Sequence, residues 1–309
     1  MKKQLFYSAG LAFTLAVLAG SANAAVLFTY NGFSSTAGLT TTGTTTTTVT
    51  GDGTVLRLTA ASSNQAGAAY TTVPVALGSN DTFSTQFQFR FTNPGGVDPA
   101  DGITFVLAAN PNGLGGTGVG LGYAGVTNSV AIEFDTYNNG NPNSLGFFSA
   151  EPDSSNHVAV DTNGLLTDTA SANVYGNASC GFANGTPAQN PNTAPGCMSN
   201  GGLWTATISY DGAALTVNLL DPAKGSTFTA INALPLNIAS ILGTTSAFAG
   251  FTGSTGAGWE NQDIVNWTLS NTAAVQTTTT PEPFSTGLIA SGLLGLAAWR
   301  RVRNAGKHV

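Results

Sequence analysis

The chain has 309 residues, of which 42% are apolar and only 8% charged. Of its nine Lys and Arg, only Arg57, Arg90 and Lys224 lie within residues 25–283, against all 15 Asp and Glu, so this stretch carries a net charge of −12. A chain this acidic has no electrostatic footprint for nucleic acid; it suits cation binding or plain solubility. In chain order, residues 1–24 combine two lysines, an apolar run and Ala22-Asn23-Ala24. They read as a secretory signal peptide cleaved after Ala24. The Thr-rich stretch 40–50 is an edge strand or a loop. Short alternating apolar and polar runs follow at 82–92, 102–109, 129–137, 157–162, 204–211, 214–220 and 263–270. Gly, Asn and Pro turns separate them, and no long segment has helical periodicity. The pattern predicts an all-β antiparallel sandwich in one domain over 25–271. Cys180 and Cys197, the only cysteines, bracket a stretch of turn formers; in an oxidising compartment they are expected to pair and staple that loop. Residues 272–283 read as a polar linker.

The remaining stretch, 284–309, follows Pro281-Glu282-Pro283 with an apolar run, Phe284–Trp299, and then Arg300, Arg301, Arg303 and Lys307. Sixteen residues are short for a full span and suit a transient membrane segment with its basic end on the cytoplasmic side. The order of these three parts resembles the PEP-CTERM sorting signal of Gram-negative bacteria. The resemblance implies export, processing by an exosortase, and residence in the periplasm, on the outer surface or in the extracellular matrix. The plainer alternative is a C-terminal membrane anchor.

The stretch Val130–Asn141, "VAIEFDTYNNGN", places two carboxylates two residues apart in an otherwise apolar run. Side chains alternate across a strand, so Val130, Ile132 and Phe134 share one face, and Ala131, Glu133, Asp135 and Tyr137 share the other. On the run 157–161, Val158 and Val160 take the apolar face; His157, Ala159 and Asp161 take the opposite one. If the two strands are neighbours, His157 joins Glu133 and Asp135. Like charges this close repel, and a divalent cation offsets them. Asp135, the Asn139 amide and the Tyr137 carbonyl are hard oxygen donors of the kind Ca2+ prefers. Glu133 and His157, sharing carboxylates, form a mixed oxygen and nitrogen set that suits Mn2+ or another transition ion. The plainer alternative is two acids and a histidine forming an ion pair at a strand end.

"VAIEFDTYNN" followed by "HVAVD" resembles the metal signature of the legume-type (L-type) lectins, a family with a jelly-roll, concanavalin-like sandwich. The resemblance implies that Glu133, Asp135 and His157 hold a transition metal, and that Asp135, Tyr137 through its carbonyl, and Asn139 hold calcium. The family has a second bridging Asp, and here the sequence departs from it: the long loop between Asn139 and His157 offers Glu151 and Asp153, of which Asp153 lies nearer His157. "PADGITFVLA" (99–108) matches the family's Ala-Asp-Gly strand start; it implies a cis peptide between Ala100 and Asp101, with Asp101 accepting hydrogen bonds from sugar hydroxyls. "GLGGTGVGLGYAG" (113–125) matches the Gly-rich loop whose backbone N–H approaches the sugar, with Gly118 as the candidate. "AGFTGSTGAGWENQDIVNWTLS" (249–270) matches the last loop and strand, where residues 256–260, including Trp259, would shape specificity. Tyr137 would stack on a sugar ring. The implied protein is a metal-dependent carbohydrate-binding module for polysaccharide or glycan, and not an enzyme. Two alternatives stand beside it. One is a structural matrix protein with a degenerate site. The other is a glycoside hydrolase of similar fold, disfavoured because Asn138 stands where a second catalytic carboxylate belongs and an amide is no general acid.

Overall fold

The run around Glu133 forms β9 (Ser129–Asp135), and the run beginning at His157 forms β10 (His157–Thr162). They pair antiparallel, with His157 opposite Asp135 and Ala159 opposite Glu133. The computed structural model describes residues 26–77, 81–111, 113–140, 152–182 and 194–273. The signal peptide, the sorting tail, most of the 272–283 linker and Glu151 lie outside the described residues.

β9 and β10 belong to a front sheet ordered β11 (Leu165–Asn173), β10, β9, β8 (Gly102–Ala108), β15 (Ser246–Ser254), β5 (Ala66–Thr71), β2 (Leu39–Gly43), with β6 (Val75–Ala76) paired to β15. The back sheet runs β14 (Ser226–Pro235), β13 (Ala214–Asp221), β12 (Trp204–Tyr210), β7 (Phe83–Gly96), β16 (Gly258–Ser270), β4 (Gly53–Thr59), β3 (Thr46–Thr50), with β1 (Val26–Tyr30) on β16. Every pairing is antiparallel, and the two sheets form a sandwich. The Thr-rich stretch 40–50 is two strands, β2 and β3, each an edge strand of a different sheet. Polar β-branched residues suit such edges because they keep strand geometry while leaving a hydrophilic border.

The core between the sheets is aromatic. Phe87 meets Phe251 edge-on at 4.9 Å, and Phe251 meets Trp267 at 4.8 Å. Edge-to-face contacts of this kind add to the area term of burial. Val130, Ile132 and Phe134 point into this core, as alternation requires. The other face of the front sheet is buried as well. Ala131, Val106 and Tyr70 pack there with Leu121, Tyr123 and Val126 of the Gly-rich segment, and with Leu166. That segment is thus a roof with its own small core, and all seven residues of β9 are buried. Carboxylates on β9 therefore sit in a low-dielectric setting that a one-sided sheet would not create.

Cys180 and Cys197 are disulfide-bonded. The chain beside the two cysteines is tied to the start of β10 through Asn156, which is fully buried. Its Oδ1 accepts from Met198 N–H (2.9 Å), and its Nδ2 donates to the carbonyls of Gly196 (2.9 Å) and Asn177 (3.1 Å). Ser155 Oγ accepts from Cys180 N–H (2.8 Å).

Candidate functional site

Glu133, His157 and Asp168 come from three adjacent strands, β9, β10 and β11. His157 Nε2 lies 2.9 Å from Glu133 Oε1 and 3.9 Å from Asp168 Oδ2. One donor atom from each residue falls within 4.8 Å of the others. Asp161 completes the group: its Oδ1 accepts from the N–H of Thr167 (2.7 Å) and of Asp168 (3.0 Å). Burial, and then the charge of Glu133, holds the Asp161 carboxyl well above the ordinary carboxylate range. Asp168 is pushed up to about 6 by burial and by Asp161, with His157 pulling the other way.

Among the described residues, no Lys or Arg answers these charges. Arg57 forms a two-bond pair with Asp263, and Arg90 with Asp52, all at 2.7 Å on the back sheet. Lys224 stands over the Tyr175 ring, 5.5 Å from its centre. The three cations of residues 25–283 are therefore committed elsewhere, leaving His157 as the group of this cluster able to carry positive charge. Buried carboxylates without a counter-charge favour a proton or a bound cation.

A second group sits beside the first, where Gly102 pairs with Asp135. The Ala100–Asp101 peptide is cis, as the resemblance implied. Asp101 N–H donates to Ser254 O (3.0 Å), its carbonyl accepts from Thr136 N–H (2.9 Å), and Gln262 Nε2 donates to Ser254 O (2.8 Å). Gly102 follows with φ +131, and a Cβ there would fall 2.3 Å from Phe134 O, so only glycine fits. The Asp101 carboxylate is buried, its Oδ2 has no hydrogen-bond partner, and burial pushes its pKa up to about 7 against a pull from Gly256 N–H. Gly118 and Gly256 lie against it: a Cβ on Gly256 would stand 3.4 Å from Asp101 Oδ2 and 3.3 Å from the Gly118 Cα. The N–H of Gly118, expected to face a sugar, donates instead to Thr255 O (3.0 Å). Gly118 thus supplies space, while its donor serves the loop.

The other expected residues are placed as follows. Asp135 is buried and its Oδ1 accepts from Tyr137 N–H (2.7 Å), which turns the chain from strand to loop. Tyr137 and Asn139 are half-buried on that turn. Asp153 is exposed and accepts from Asn138 Nδ2, and it is not part of the Glu133–His157–Asp168 group. Trp259 lies with its ring against Gly95 and Gly96, across the β7–β16 pairing.

Two features escaped the sequence reading. One is Asp168. The other is Glu260, which is fully buried and accepts from Thr136 Oγ1 and Ser199 Oγ, both at 2.7 Å. It ties Thr136, at the end of β9, to Ser199, just past Cys197. Burial pushes Glu260 up to about 8; the two hydroxyls oppose that shift and the charge of Asp101 adds to it.

A protein-family model described as the legume lectin domain matches residues 25–283. The chain belongs to the legume lectin family. Within it, the domain is similar to the lectin alpha chain of Lablab purpureus, at 25% identity over 71% of this chain and 74% of that one. It is also similar to a putative L-type lectin-domain containing receptor kinase of Arabidopsis thaliana, at 29% identity over 72% of this chain; it spans about a third of that protein's length (32%). Among solved structures, the metal-free form of lectin I-B4 from Griffonia simplicifolia superimposes with a TM-score of 0.60 at 26% identity, covering 78% of this chain and 97% of the other. The legume lectin domain is a carbohydrate-binding module, not an enzyme, and its members generally bind Ca2+ and Mn2+. The donor set of this lectin domain fits such ions: a histidine nitrogen and buried carboxylates, with no Lys or Arg beside them among the described residues.

Proposed function

We propose that this protein is an exported, metal-dependent lectin whose partners are polysaccharides or glycans at the bacterial surface or in its exopolysaccharide matrix. Export, transient membrane association and exosortase processing rest on the two terminal segments alone. The observation that carries the binding site is Asp101. It is a buried carboxylate with an unpartnered oxygen, set between two glycine-bearing loops and fixed by Ser254 and Thr136. A carboxylate is a strong acceptor for hydroxyl donors, which a sugar supplies in pairs. Tyr137 offers a ring for the sugar's apolar face, Asn139 an amide, and Trp259 a further aromatic edge.

In this reading Asp135, the Tyr137 carbonyl and Asn139 hold Ca2+, and Glu133, Asp135 and His157 hold Mn2+ or another transition ion. The ions supply the positive charge that the protein lacks here and fix the 136–140 turn before the ligand arrives. Ordering that turn in advance lowers the entropy lost on binding.

The test is a glycan array probed with the full chain in Ca2+ and Mn2+, and again after EDTA. Specific signals that vanish with EDTA and return with metal support the reading. Signals indifferent to chelation remove the metals from it. A blank array, with stability unaffected by EDTA, favours the second reading, a structural matrix protein; the exposure of Asp153, the nearest loop acid, speaks for that one.

A further inference from the structure

Asp168 was absent from every sequence-based ligand set, yet it reaches the centre of the cluster. It lies on β11 with φ +46, in the left-handed region that Asp tolerates better than most residues. Leu166, two residues before it, packs under the roof; Ala170, two residues after it, packs against the main core. The strand therefore changes faces at Asp168, where the β10–β11 register also breaks. Asp161 Oδ1 grips the Thr167 and Asp168 N–H groups and so holds the bulge that turns Asp168 inward.

The Oδ2 atoms of Asp161 and Asp168 are both shut off from water with no hydrogen-bond partner. Asp161 is fully buried, and the Asp168 side chain is 4% exposed. Their common neighbour is Glu133. One carboxylate satisfies another only through a shared proton or cation. Donors each about 2.1 Å from a single ion stand about 3–4.2 Å apart. The observed 2.9 and 3.9 Å separations from His157 Nε2 are close to that spacing, and the three donor atoms all lie within 4.8 Å of one another.

We propose that Asp168 is the carboxylate that completes the Glu133–His157 ion site, so that the transition ion is held by three neighbouring strands and not by an acid of the loop after Asn139. The inference rests on the metal-binding part of the proposed function. It makes ion affinity independent of Glu151 and Asp153, and leaves that loop free to vary with the ligand.

The test is Mn2+ binding to the full chain, followed by loss of the free-ion EPR signal, with melting temperatures taken in EDTA and in Mn2+. Asp168→Asn is expected to weaken Mn2+ by about 10–100-fold and to shrink the Mn2+-induced rise in Tm. In EDTA this variant melts at or above the wild-type temperature, because a buried like charge is gone. Asp153→Asn changes Mn2+ affinity less than about threefold. Asp168→His keeps a donor in place; it retains Co2+ binding with an altered visible spectrum. Wild-type affinity in Asp168→Asn, an equal loss in Asp153→Asn, or an unchanged Co2+ spectrum in Asp168→His overturns the assignment while leaving a metal site in place. No Mn2+ binding by the wild-type chain overturns the metal reading itself, and the assignment with it.

Discussion

The two halves of the site sit side by side at one end of the front sheet and are built differently. Glu133 and His157 stand on strands whose backbones are fixed by ladder hydrogen bonds, and Asp168 stands on a bulge of β11 held by Asp161 Oδ1; the faces of these strands are buried by the main core and the roof. Asp101, Gly118 and Gly256 stand on loops, and their arrangement depends on single hydrogen bonds such as Asp101 N–H to Ser254 O and Gly118 N–H to Thr255 O. The strand half concentrates charge in a rigid, dry place, which favours a tightly held ion. The loop half holds one carboxylate among glycine-bearing loops, which favours a ligand that comes and goes. Ladder-bound ligands are expected to tolerate loop changes, whereas loop-bound ones should not tolerate loss of their neighbours.

The largest expected effect breaks the strand half. His157→Ala removes the nitrogen donor and leaves buried carboxylates uncompensated; transition-ion affinity should fall more than about 100-fold by titration calorimetry. If the ion binds as before, the strand cluster is not its site. Next comes the staple. Replacing both Cys180 and Cys197 with Ser opens a link of 17 residues and is expected to lower stability by roughly 3 kcal/mol in denaturant melts. Because Asn156 couples the chain beside the two cysteines to the start of β10, the loss should appear in one cooperative transition; a separate early transition would overturn that coupling.

A smaller effect isolates the loop half. Asp101→Asn should lower glycan affinity about 10–100-fold and leave Mn2+ affinity unchanged. Loss of both together would mean that the two halves act as one. In the wild type, glycan binding should strengthen as pH rises through 7 and level off about one unit above it, since the ionised carboxylate is the better acceptor and its pKa stands at about 7. A binding curve flat across this range would remove Asp101 from the contact.

The smallest effect concerns Glu260, which bonds Thr136 and Ser199 beside the site. Its folded pKa of about 8 lies above its ordinary value of 4.5. Between these values the unfolded chain has released the proton while the folded one keeps it. Stability is therefore complete below pH 4.5 and declines as pH rises toward 8, with a slope of at most about 1.4 kcal/mol per pH unit. Glu260→Gln keeps an acceptor for one hydroxyl and a donor for the other. In EDTA it should flatten this slope; an unchanged slope would place the pH dependence on Asp101, Asp161 and Asp168 instead.

Much of the strand half is legible in the amino-acid sequence. Alternation along 130–137 divides core from site correctly: Val130, Ile132 and Phe134 are in the main core, and Ala131 is on the other face with Glu133. That the His157 strand lies beside the Glu133 strand is a condition the sequence leaves open and the β9–β10 pairing meets. Asp168 is not legible, because a single left-handed residue reverses the faces of β11 and the periodicity argument fails there. Glu260 escapes for another reason. Its partners, Thr136 and Ser199, are 124 and 61 residues away in sequence, and no local pattern announces such a contact.

The sequence by itself determined the all-β class, the faces of β9 and β10, the pairing of two cysteines and an acidic domain short of cations. These follow from local stereochemistry and composition, which need no knowledge of distant neighbours. Only the tertiary structure decided which acids share one small volume, that a Gly-rich segment roofs the front sheet and dries the cluster, and that Arg57 and Arg90 are spent on the back sheet. Those facts depend on burial and on contacts between distant segments, and they set whether a carboxylate is an ordinary surface charge or a group in need of a cation.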